Sequence, residues 1–395
     1  MTAEIILKEV RENIDEIIAN RRVLHKMPGT GFDIADTVDY VRKALSAMGI
    51  ESKACGKAGL TATIGHGGKV FLLRADMDAL PIKEESGLEF ASDNGCMHAC
   101  GHDLHTAMLL GAAKILKAHE AELKGTVKLM FQPAEEVFEG ALDMINDGVL
   151  ADPKPDAAAM IHVIAGMPVE TGTVVVSAPG VSLPAADYFE IHIQGKGCHG
   201  SMPSDGIDPI TVAAHTVINL QEISARELST EEKAVLTFGR IHAGEASNVV
   251  PDTAFLGGTL RTYDEKLRTY IKERMATIVE GTANIFRAKA ELCFTSGCPS
   301  LYNDPELVKF ATENLRKLPG LPVYPLSSNS GGGSEDFAYI SRQIPALMLS
   351  LAAGKPEEGY LYPQHHPQVK FDEKAMEKGT AAFVQLALSW LEENE

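Results

Sequence analysis

No run of apolar residues in this 395-residue chain is long enough to cross a bilayer as a helix. Its first segment, Met1 to Arg22, mixes isoleucine with acids and bases where a secretion signal carries an unbroken apolar core. Cysteine is sparse: Cys55, Cys96, Cys100, Cys198, Cys293 and Cys298. That is too thin for a disulfide framework and predicts a reducing cytoplasm, with at least one thiol kept for chemistry. Positive charge is in deficit, 36 Lys+Arg against 54 Asp+Glu, for a formal net charge of −18. No Lys/Arg run offsets it, so nucleic acid and anionic membrane surfaces are poor partners. Familiar catalytic signatures are missing too: no Gly-x-Ser-x-Gly elbow, no His-Glu-x-x-His helix and no Gly-Lys pair with Walker spacing. The glycines of Ser330-Gly331-Gly332-Gly333-Ser334-Glu335-Asp336 imitate a phosphate loop but lack the lysine and follow no clear strand. The sequence there reads as a flexible loop capped by Ser334.

What is present is the composition of a soluble globular protein, 45% hydrophobic and 23% charged. The length predicts two or three domains. Ile5, Ile6, Val10, Ile14, Ile17 and Ile18 form a helical stripe, and a second helix is expected over Asp33 to Met48. Lys69 to Ala75, Thr126 to Phe131 and Asp156 to Val163 read as buried strands. The helix following the first is expected to start with Asp103 as N-cap. Strands alternating with helices predict an α/β fold with a mostly parallel sheet covered on both faces. From about Asp187 the order becomes strand, helix, strand, strand, helix, strand, the ferredoxin-like α+β pattern. The α/β pattern then returns and closes with a helix from about Asp372 to Leu391. The expected organisation is therefore a discontinuous domain, 1–184 with 297–395, interrupted by an inserted domain, 185–296.

Chemistry concentrates in Met97-His98-Ala99-Cys100-Gly101-His102-Asp103-Leu104-His105. A thiolate and an imidazole two residues apart at a strand-to-helix turn suit a borderline-soft divalent metal. The remaining ligands must come from other strand ends, where Glu135-Glu136, His162 and His365-His366 stand. If Glu136 ligates, Glu135 is left beside the activated water as a proton acceptor. Asp76 and Asp78, closing a strand, could ligate or could orient a ligand's imidazole from behind.

Nine motifs in order carry a resemblance. They are Leu24-His25-x-x-Pro28, Arg74-Ala75-Asp76-Met77-Asp78-Ala79-Leu80-Pro81, the Met97 to Thr106 cluster, Gln132-Pro133-Ala134-Glu135-Glu136, Gly195 to Gly200, Asn248-Val249-Val250-Pro251, Gly258 to Thr262, Gly333 to Phe337 and His365-His366-Pro367. With them the chain resembles the dinuclear metallo-aminoacylase and carboxypeptidase superfamily, in its branch of hippurate hydrolases, auxin-conjugate hydrolases and N-acetyl-diaminopimelate deacetylases. It departs from the usual pattern at Gly29 and at Val137-Phe138-Glu139. The resemblance implies a zinc-peptidase-like α/β catalytic domain and an inserted ferredoxin-like lid that also mediates homo-oligomerisation. It implies that Cys100, His102, Glu136, His162 and His365 hold two divalent ions (Zn, Mn, Co or Ni). His365 is chosen over His366 because the family's ligand sits two residues before the proline. Glu135 is then the general base, His199 the oxyanion donor, and Asn248 and Arg261 hold the substrate's polar end. The reaction implied is hydrolysis of N-acyl amino acids. A metallo-dipeptidase or carboxypeptidase is the alternative, and a catalytically silent binding module is a third reading.

Overall fold

The structure is a computed structural model and describes residues 1–329 and 332–395. In chain order the elements are α1 (Ala3–His25), α2 (Ala35–Ala47), β1 (Ser52–Cys55), β2 (Gly59–Gly65), β3 (Lys69–Asp76), α3 (His102–Ala118), β4 (Gly125–Gln132), α4 (Gly140–Asn146), β5 (Ala157–Ile164), β6 (Val174–Val176) and β7 (Gly180–Leu183). Then come β8 (Ala185–Gln194), β9 (Cys198–His199), α5 (Pro209–Glu222), β10 (Ala234–Ala243), β11 (Val249–Val250), β12 (Thr253–Thr262), α6 (Glu265–Ile285) and β13 (Lys289–Cys298). The chain closes with β14 (Leu301–Asn303), α7 (Pro305–Leu315), β15 (Val323–Pro325), α8 (Ala338–Ser341), β16 (Ala346–Ala352) and α9 (Ala375–Glu393).

The chain divides into two compact units. One comprises Met1–Ser182, residues 302–329 and Glu335–Glu395; the other comprises Leu183–Leu301 with residues 332–334. The first holds an eight-stranded sheet in the order β1-β2-β4-β3-β5-β16-β6-β15. Its centre, β4-β3-β5-β16, is parallel, and antiparallel pairs flank it. Every residue of β4, and every residue of β3 after Lys69, is buried. Such near-continuous burial belongs to strands covered on both faces. Alternation sends Phe71, Leu73 and Ala75 into a core shared with α1, α3 and α9. Leu72, Arg74 and Asp76 project to the opposite face. Helix α3 is buried almost all round, and at Gly111 a Cβ would come within 2.7 Å of Ile17 Cδ1, so a larger residue there would push the Ile17 side chain of α1 aside. The α3 N-terminus corrects one expectation: Asp103 lies inside the helix, and Gly101 is the N-cap residue.

The second unit is a four-stranded antiparallel sheet in the order β10-β12-β8-β13, with α5 and α6 packed on its apolar face. In β8 the period-2 alternation buries Phe189, Ile191 and Ile193. In α6, Leu267, Ile271, Met275 and Val279 fall four residues apart on the face that meets them. No helix of the described residues is long and apolar enough to cross a membrane.

Candidate active site

Parallel strands place their carboxyl ends on one side of a sheet, and sites form beyond those ends. Here β3 ends at Asp76, β4 runs out to Glu135 and Glu136, and β5 brings His162. The turn into α3 supplies Cys100 and His102. Gly101 between them has φ +90°, and a Cβ there would lie 2.4 Å from Val163 Cγ2, so the turn requires glycine. Two sets of potential ligand atoms share the Cys100 sulfur: Cys100, His102 and His162, and Cys100, Glu136 and His365. Cys100 Sγ is 3.5 Å from His162 Nε2, and His365 Nε2 is 3.5 Å from Glu136 Oε2. His102 Nε2 lies 3.8 Å from Glu136 Oε1, 3.9 Å from Glu135 Oε2 and 3.6 Å from Asp76 Oδ2.

Hydrogen bonds fix the histidine tautomers. His102 Nδ1 donates to the Asp78 carbonyl at 2.9 Å and His162 Nδ1 to the Val163 carbonyl at 2.7 Å. A carbonyl oxygen can only accept, so Nδ1 carries a hydrogen in both rings and Nε2 is the atom left facing the centre. In the metal-free site burial works against it, yet Asp76 raises His102 well above the usual imidazole range, so a metal there would displace its Nε2 proton. His105 differs: its Nε2 accepts from the Val163 N–H at 2.8 Å and its Nδ1 donates to Asp76 Oδ1 at 2.6 Å. With both nitrogens engaged, it braces Asp76. Asp78 is likewise engaged, its two oxygens accepting the backbone N–H groups of Glu135 (3.0 Å) and Glu136 (3.2 Å). It thereby sets the direction of the acidic pair.

His102 Nε2 and Glu136 Oε1 are buried without a hydrogen-bond partner among the described residues. Buried polar atoms are seldom left that way. Their convergence with a thiol and two further imidazoles fits a divalent metal of the zinc type. Three of the four non-glycine residues with positive φ among the described residues flank the same centre: Ala134 (+54°), Phe138 (+59°) and His365 (+66°). Such strain persists where the surroundings over-determine it. For His365 the surroundings are a backbone bond to the Ala99 carbonyl at 3.0 Å and the Gln364 side chain on the Val163 carbonyl at 3.0 Å. His366 turns elsewhere, stacking on Tyr362 with ring centres 4.2 Å apart and accepting the Gln368 N–H at Nδ1.

Burial, then the Glu136 charge, pushes the Cys100 thiol up to about 12, and burial raises Glu136 to about 7. Burial drives His162 down to about 3, keeping its ring neutral. Burial, then Glu335 and Glu136, holds Glu135 well above the usual carboxylate range. A carboxylate that binds a proton this readily has the property a general base needs.

In the second unit, the β9–β11 ladder pairs His199 with Val249, next to Asn248, whose carbonyl accepts the Gly200 N–H at 2.8 Å. His199 Nδ1 accepts the Ser201 N–H at 3.1 Å, so the ring proton sits on Nε2, on an exposed side chain. Arg261 stands on β12 over the Tyr188 ring at 5.6 Å.

The glycine-rich segment corrects the sequence reading. Ser330 and Gly331 lie outside the described residues, and Ser334 caps nothing: α8 starts at Ala338 with Phe337 as its uncapped N-cap residue. Glu335 and Asp336 are buried, and both bind Arg74, at 2.8 and 3.0 Å. Arg74 also donates to Asp76 (2.7 Å) and Gln132 (2.9 Å). Sequence reasoning missed this hub. The available signal was an arginine inside the apolar run Lys69–Ala75, a charge that a doubly covered strand tolerates only when paired.

Fold and donor set fit a metal-dependent enzyme, and the family and relatives make its class a hydrolase acting on amide bonds. The chain belongs to peptidase family M20/M25/M40, whose model matches residues 72–389. It is 37% identical over 385 residues to the N-acetyl-L-cysteine deacetylase of Bacillus subtilis (96% of this chain, 89% of that one). It is 35% identical over 391 residues to the IAA-amino acid hydrolase ILR1-like 2 of Arabidopsis thaliana (97% and 87%). Among solved structures it is similar to the Bacillus subtilis YxeP protein, described as a dinuclear metal-binding peptidase of the M20 family, with TM-score 0.79 and 34% identity over 97% of this chain and 99% of that one.

Proposed function

We propose that the chain hydrolyses N-acyl amino acids to a carboxylate and the free amino acid. Cys100, His102, Glu136, His162 and His365 hold two divalent ions in this reading, and Glu135 is the general base. The observation that carries it is the pair of ligand sets joined at Cys100, with Glu135 beside them but in neither. Thiolate and imidazole donors favour Zn²⁺, and Mn²⁺, Co²⁺ and Ni²⁺ suit the same donors. The bound ions supply Lewis acidity, lowering the pKa of water and polarising the scissile carbonyl. Glu135 takes the proton at a carboxylate oxygen and returns it to the departing amine. Asp78 keeps Glu135 and Glu136 aimed, and the Asp76–His105 pair braces the face beneath His102. In this reading the 185–296 insertion serves as the lid and as the contact of a homo-oligomer: His199 Nε2–H, from the same or a partner subunit, donates to the developing oxyanion, and Asn248 and Arg261 hold the substrate's polar end. Six free cysteines support a cytoplasmic setting.

The test is free-amine release from acetyl, benzoyl and indoleacetyl amino acids, with protein stripped by chelator and reloaded with each metal. Metal-dependent turnover is expected; cleavage confined to dipeptides would move the enzyme to the peptidase reading. Metal binding must also displace the Cys100 proton. Metal affinity is therefore expected to rise at least about tenfold per pH unit, more steeply below about pH 7 where Glu136 must also give up its proton, read by chelator competition from pH 6 to 8. A flat profile would argue against thiolate ligation.

A further inference from the structure

The turn that carries Cys100 and His102 has no capping side chain at the start of α3, where Gly101 is the N-cap residue. His102, His105 and Thr106 tie one side of the first turns of α3 to Asp76 and Asp78. The tie to α1 is Asp103, whose Oδ2 accepts from Arg21 Nε at 2.7 Å and from His25 Nδ1 at 2.8 Å. Arg21 and His25 stand one turn apart at the end of α1, and all three side chains are buried. His25 Nε2 continues to Glu84 Oε1 at 3.1 Å, and Glu84 in turn accepts the Ser92 N–H at 2.7 Å. Arg21 Nη1 reaches Glu373, just before α9, at 3.2 Å. Phe90 closes the cluster, with Arg21 over its ring at 4.7 Å and the His25 ring edge-on at 5.3 Å. Charge-assisted bonds in a water-excluded place are short, directional and strong. They act on the residue next to His102, while the Asp78 carbonyl holds His102 from its other side.

We infer that Asp103, clamped by Arg21 and His25, is the positioning residue of the Cys100–His102 ligand turn, so that the end of α1 sets metal affinity without touching the metal. The inference rests on the reading of Cys100 and His102 as ligands. A tie that served the fold alone would lower the melting temperature and leave the metal centre unchanged.

The experiment compares Asp103→Asn, His25→Asn and His25→Leu in the full chain, reading Co²⁺ affinity by chelator competition and the cobalt–thiolate absorption band. Asp103→Asn and His25→Leu are expected to bind about 10- to 100-fold more weakly, with a shifted band. His25→Asn, whose amide reproduces the Nδ1 bond, stays near wild type. Unchanged affinity and spectrum in Asp103→Asn, despite a lower melting temperature, would overturn the inference. If Asp103→Asn does not fold, the histidine pair decides: equal affinities in His25→Asn and His25→Leu overturn it. A wild-type protein that binds Co²⁺ without a thiolate band would overturn the Cys100 reading itself, and this inference with it.

Discussion

Replacing Glu135 by glutamine is expected to lower kcat by about 10²- to 10⁴-fold while metal stoichiometry stays at the wild-type level. Glutamine keeps the shape, and the backbone N–H of residue 135 keeps its bond to Asp78. What is lost is the ability to take a proton from water and pass it on. None of the proposed ligands changes, so metal content measured beside turnover separates loss of the base from loss of the centre. Full activity in the metal-loaded variant would remove Glu135 from the mechanism. The same substitution carries a stability expectation of opposite sign. Burial, Glu335 and Glu136 raise the Glu135 pKa in the folded protein. The folded state therefore binds more protons than the unfolded one above about pH 4.3, and this group's contribution to stability falls as pH rises from there. Without metal, Glu135→Gln is expected to melt no lower than wild type at neutral pH, a trade of stability for catalysis common at active sites.

Arg74→Met is expected to cost about 3–5 kcal/mol, read from urea unfolding of the metal-free protein. The guanidinium is fully buried and is the cation that Asp76, Glu335 and Asp336 all bind. Methionine fills much of the volume but leaves those carboxylates facing one another in a low dielectric. The damage should spread to the site, because Asp76 braces His105 and His105 holds the Val163 N–H beside His162. A loss below about 1 kcal/mol, the scale of an exposed ion pair, would mean that the carboxylates find other partners or protons. Asp336 has some of its own, accepting from Gln132 at 2.7 Å and from the Ala141 N–H at 2.8 Å.

Much of the site was legible as chemistry at strand ends. Asp76, Glu135, Glu136 and His162 each follow an apolar run, and Cys100 and His102 share a turn that a glycine must make. Short-range pattern suffices for that, since burial on both faces produces continuous apolar strands and the residue after them emerges at the sheet edge. The order strand, helix, strand, strand, helix, strand over 185–296 was readable for the same reason. The roles of the acidic and basic partners were not. Asp78 and His105 have the composition of ligands and spend their atoms on backbone N–H groups and on Asp76. Glu335 and Asp336 sat in what looked like a mobile glycine loop.

The sequence by itself determined the metal-binding type of chemistry, the α/β architecture and the alternation that buries each strand, because these depend on residue type and local period. Only the tertiary structure decided which atoms are free. Arg74 meets Glu335 across 261 positions, Arg21 meets Asp103 across 82, and His365, in the left-handed conformation, faces Glu136 while His366 stacks on Tyr362. Each is a matter of direction and distance between remote segments, where a hydrogen bond weakens steeply with misalignment and where neighbours in sequence carry no information about neighbours in space.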